Sequence, residues 1–101
     1  MTQANEEYLE IGQSIEVAEQ SQMFGKPCFK IGGKAFVAFF QEAMVFKLTG
    51  DEHTRALALE GAVLFDPSGK GRAMREWVQV PYASKDLWPE LAKAACTYVG
   101  D

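Results

Sequence analysis

The chain has 101 residues, 48% of them hydrophobic and 24% charged. Those values suit one soluble globular domain and lie outside the apolar-poor, charge-rich composition of disordered segments. A net charge of -4 and a pI near 5.0 argue against strong nucleic-acid binding, which rests on a basic surface that neutralises phosphates. No apolar run approaches the roughly 20 residues that span a bilayer. The first residues, Met1 to Glu7, are polar and acidic where a signal peptide would be basic and then apolar, so the expected setting is cytoplasmic, with no membrane contact.

The charge is unevenly placed. Residues 1 to 22 carry Glu6, Glu7, Glu10, Glu16 and Glu19 and no Lys or Arg, while the remainder carries a net charge near neutrality. Tyr8, Ile11, Ile15 and Ala18 recur at three- and four-residue steps, which predicts a first helix whose glutamates face solvent. Gly12 weakens that helix unless a neighbouring element packs closely there. Met23-Phe24-Gly25-Lys26-Pro27 is read as its end, because Pro27 biases Lys26 toward extended geometry.

Three strands are predicted next. Cys28 to Ile31 alternates, and Gly32-Gly33 makes a tight hairpin turn. The run from Ala35 to Phe40 is apolar on both faces, so it belongs at the centre of a sheet or under a cover on its second face. After a short turn at Gln41-Glu42, Ala43 to Leu48 directs Met44, Phe46 and Leu48 inward. A second helix is expected from about Asp51 to Glu60, with Thr49 and Glu52 as a capping box and Gly61 just past its end. Ala62 to Phe65 and Glu76 to Val80 are two more strands. The last helix starts near Leu87, with Leu87, Leu91, Ala94 and Tyr98 as its buried stripe.

The order is helix, three strands, helix, two strands, helix. It predicts an α+β domain over residues 1–101, two-layered, with a largely antiparallel five-stranded sheet. Met23-Phe24-Gly25, Gly33-Lys34-Ala35-Phe36, Met44 to Leu48, the block from Phe65-Asp66-Pro67 to Trp77-Val78-Gln79-Val80-Pro81, and Trp88 to Val99 together resemble the N-terminal domain of the TfoX (Sxy) family. The resemblance implies this element order, a sheet ordered 1-2-3-5-4, and a fold akin to secretion-chaperone-like domains. It also implies a bacterial regulatory or adaptor protein of the cytoplasm that works by protein-protein binding, without enzymatic activity or cofactor. Full-length competence regulators of that family resemble this chain over their first half only and carry a second, C-terminal helical domain, so the resemblance supports family membership better than any inherited role.

The residues themselves offer little catalytic chemistry. Cys28 and Cys96 lack the CxxC spacing of zinc or redox sites and read as free buried thiols. His53, beside Asp51 and Glu52, reads as a solvated surface residue, and no metal-ligand set surrounds it. Ser68-Gly69-Lys70-Gly71-Arg72 combines flexible backbone N–H groups with cations. Lys70, Gly71, Arg72 and Arg75, with Lys26 as a neighbour, therefore form a candidate site for a small anion or nucleotide. The sequence is not a phosphate loop, since GxxxxGK followed by Ser or Thr is absent. Asp66 before Pro67 reads as a turn opener whose carboxylate bonds nearby backbone. Val37, Phe39, Phe40 and Trp77 form a candidate interface, because apolar groups on a sheet face left uncovered by helices invite a protein partner or a symmetric homodimer.

Overall fold

A computed structural model describes residues 2–23, 25–66, 71 and 73–100. The elements are α1 (Gln3–Ser14), β1 (Glu19–Met23), β2 (Lys26–Ile31), β3 (Lys34–Phe40), β4 (Ala43–Lys47), α2 (Gly50–Leu57), β5 (Val63–Phe65), β6 (Met74–Pro81), a 3-10 helix (Tyr82–Leu87) and α3 (Trp88–Gly100). The fold is α+β, and its antiparallel sheet has six strands, ordered β1-β2-β3-β4-β6-β5. The expected count of five missed β1. Its sequence, Glu-Gln-Ser-Gln-Met, has no β-branched or aromatic residue, and pairing with β2 in register from Glu19↔Lys30 to Met23↔Lys26 makes it a strand. The first helix accordingly stops at Ser14, earlier than its apolar periodicity suggests.

Two tight connections hold the central hairpins. Gly32 and Gly33 take φ of 57° and 81° between β2 and β3, a conformation glycine adopts at no steric cost. Gln41 and Glu42 take φ of 50° and 64° between β3 and β4. A two-residue loop with both central residues at positive φ has the I′ signature that matches strand twist, although neither residue favours it.

Strand β3 is third in the sheet, and its two faces feed different clusters. The register passes from Phe29↔Val37 to Lys30↔Ala35, leaving Phe36 as the extra residue of a bulge. Phe36 and Val37 consequently both join the main core, with Tyr8 and Ile11 of α1, Phe29, Met44, Phe46, Val78, Val80, Ala56 of α2, and Trp88, Leu91, Ala92 and Ala95 of α3. The second cluster contains Cys28, Ala38, Val45, Phe65 and Trp77, flanked by Met23, Ala35, Phe40 and Met74. Phe40 meets Phe65 edge to face, ring centroids 5.3 Å apart.

The helices also differ in detail from the expected ones. Thr49 is the N-cap of α2, but its side chain makes no capping hydrogen bond, and Glu52 pairs with Arg55 at 3.1 Å instead. Helix α3 buries Trp88, Leu91, Ala92 and Ala95. This face is rotated from the expected stripe, leaving Leu87 and Ala94 half-buried and Tyr98 exposed. No helix of the described residues is long and apolar enough to cross a membrane.

Candidate functional site

The candidate anion site is only partly within the described residues. Lys70 and Arg72 lie outside them. Gly71 takes φ of 78°, and its N–H donates to Asp66 Oδ2 at 2.8 Å. The chain's own carboxylate therefore occupies an amide that an external anion would use, and Asp66 bonds backbone in the way a turn-forming residue does. Arg75 is exposed, but its main chain is engaged: a carbonyl can only accept, so His53 Nε2–H donates to Arg75 O at 2.6 Å. That bond ties α2 to β6 and leaves the imidazole half-buried, where the sequence suggested a solvated ring. Lys26 places its ammonium 5.2 Å from the Phe40 ring centroid, a cation–π contact.

The four candidate interface residues do not form a shared exposed patch. Val37 is fully buried in the main core, and Phe39 is half-buried against that same core. Phe40 and Trp77 belong to the second cluster, Trp77 with 6% of its surface exposed. The two faces of β3 separate these residues, and a single chain covers most of their surface.

Two residues with potential chemistry are buried. The Cys28 thiol has no exposed surface, and burial pushes its pKa up despite the opposing charge of Lys30, which disfavours the thiolate that a nucleophile requires. Burial pushes the Tyr8 phenol well up too, with a further contribution from Cys28. Its hydroxyl and the Trp88 indole N–H find no hydrogen-bond partner among the described residues. Among these residues no three His, Cys, Asp or Glu side chains converge on a metal position.

An open groove of about 380 Å³ was not anticipated from sequence. Leu48, Thr49 and Glu52 form one side, at the start of α2, and Lys93, Ala94, Thr97 and Tyr98 of α3 form the other. Charges are fixed around it. Tyr98 donates to Glu76 Oε2 at 2.5 Å, and that bond raises the phenol's pKa. Arg55 reaches Glu52 and Glu90, each at 3.1 Å. The groove thus presents an apolar floor with hydroxyls, a carboxylate and an ammonium at its rim, a mixture suited to holding a side chain or small molecule. Its halves lie more than 40 residues apart in the chain, so no local spacing announces it. Comparison with known proteins returns no match: no family model, curated protein or solved structure corresponds to this chain.

Proposed function

We propose that the chain is a non-enzymatic regulatory or adaptor domain that acts by binding another protein. The observation that carries this reading is the strand order. With the edge strand β1 set aside, the remaining strands run β2-β3-β4-β6-β5, the 1-2-3-5-4 order implied by the resemblance to the TfoX N-terminal domain. On this reading the helices form one layer over the sheet, the setting is the bacterial cytoplasm, and the groove between α2 and α3 receives part of the partner.

Affinity capture with the full chain, followed by titration of the purified captured protein, tests the proposal. Saturable binding that Lys93→Glu or Tyr98→Ala weakens while the variant remains folded at the assay temperature supports it. Binding unaffected by either change places the partner elsewhere and removes the groove from the reading. The competing reading is a small-anion or nucleotide module at Lys70, Gly71, Arg72 and Arg75. It requires phosphate or nucleotide to raise the melting temperature, and Lys70→Ala with Arg72→Ala to abolish that shift. A ligand-dependent shift of this kind without any protein partner would replace the adaptor assignment.

A further inference from the structure

We propose that the outer edge of β1 joins two copies of this chain into one continuous antiparallel sheet. The inference rests on the strand's register and does not depend on the adaptor reading. Strand β1 is the first of the six in spatial order and pairs only with β2 among the described residues. Its ladder runs five residues without a bulge. It also lacks the devices that usually protect an edge, having no Pro, no Lys and no bulge, with Glu19 as its single charge. The opposite edge is formed by β5, only three residues long, and short edge strands are poor templates for pairing.

Proline reveals which backbone groups of β1 point outward. Pro27 stands opposite Gln22. Having no N–H, Pro27 cannot exchange both hydrogen bonds, so Gln22↔Pro27 is a non-hydrogen-bonded pair. Alternation then makes Ser21↔Cys28 a hydrogen-bonded pair and Gln20↔Phe29 a non-hydrogen-bonded one. Gln20 and Gln22 therefore direct their N–H and C=O groups away from β2, to the open side.

A two-fold axis at Ser21 uses both residues. It places Gln20 opposite Gln22 of the second copy as a hydrogen-bonded pair, repeated by symmetry, and sets Glu19 opposite Met23. No like charges face each other, and the exposed Gln20 and Gln22 side chains can bond across the junction. A register centred on either glutamine engages only one outward residue per copy. Val17, with 62% exposure the most exposed large apolar side chain among the described residues, lies two residues before the strand. A self-complementary patch of this kind is the form a two-fold contact takes.

Sedimentation equilibrium of the full chain at concentrations up to roughly 1 mM tests this geometry. The mass should rise with concentration from 11.2 kDa toward twice that value, and the Gln20 and Gln22 amides should become protected from hydrogen exchange. Gln20→Lys with Gln22→Lys puts like charges opposite each other and should weaken association on the order of tenfold. Gln20→Lys with Gln22→Glu puts opposite charges face to face and should restore it. Both variants change exposed side chains, and unchanged thermal melts verify that the fold is retained. A mass of 11.2 kDa across the whole range overturns the proposal, as does association indifferent to the double-lysine change.

Discussion

Gly12 illustrates how one side chain's absence can set a helix against a sheet. A Cβ built there would lie 2.0 Å from Phe29 Cε2. Phe29 is itself held against Tyr8, ring centroids 5.2 Å apart, and cannot yield freely. Gly12→Ala favours helix formation by about 1 kcal/mol, but overpacking should win and lower stability by about 1–3 kcal/mol in chemical denaturation. Tyr8 makes the opposite case. Its buried hydroxyl finds no partner among the described residues, so Tyr8→Phe should raise stability by about 1 kcal/mol. Folding raises the phenol's pKa, so the stability present below the unfolded value of about 10 is lost as pH climbs beyond it. Alkaline denaturation profiles of the two proteins should therefore diverge above about pH 10, the phenylalanine variant declining less.

Among the elements, the β3–β4 turn holds two non-glycine residues at positive φ. Glu42→Gly should stabilise by about 1 kcal/mol, because it removes a left-handed penalty and forfeits only an exposed bond from Thr2. A melting temperature at or below that of the parent would contradict the turn geometry. Helix α3 provides a second comparison. Trp88 is fully buried, whereas Tyr98 retains 37% of its surface. Trp88→Ala should cost about 3–5 kcal/mol and Tyr98→Ala less than about 1 kcal/mol. Equal losses would mean that the helix buries the face expected from periodicity.

For the molecule as a whole, the second cluster decides how the sheet meets water. Cys28, Ala38 and Val45 have no exposed surface within one chain, while Ala35 and Phe40 beside them are half-buried. Val45→Asp would bury a carboxylate without a partner and should cost more than about 3 kcal/mol. Unfolding by circular dichroism is the expected result. A folded variant with a lower association state would instead restore the sheet face as an interface.

The sequence by itself determined the α+β class and the hairpin at Gly32-Gly33, and it narrowed β3 to a central place or a covered second face and marked Gly12 as a weak point of its helix unless a neighbour packs closely there. These features come from periodicity, turn chemistry and side-chain size, which act within a few residues. Tertiary structure alone decided that Glu19 to Met23 is a strand, since its conformation comes from pairing with β2 and not from its own propensity. It also decided the rotation of α3, where the Trp88 indole claims the core over Leu87, and the bulge at Phe36 that sends two consecutive side chains to one face. The groove between α2 and α3 was beyond local reading for the same reason: Thr49 and Glu52 suggest a helix cap, and only the packing of α3 beside them makes them the wall of a site.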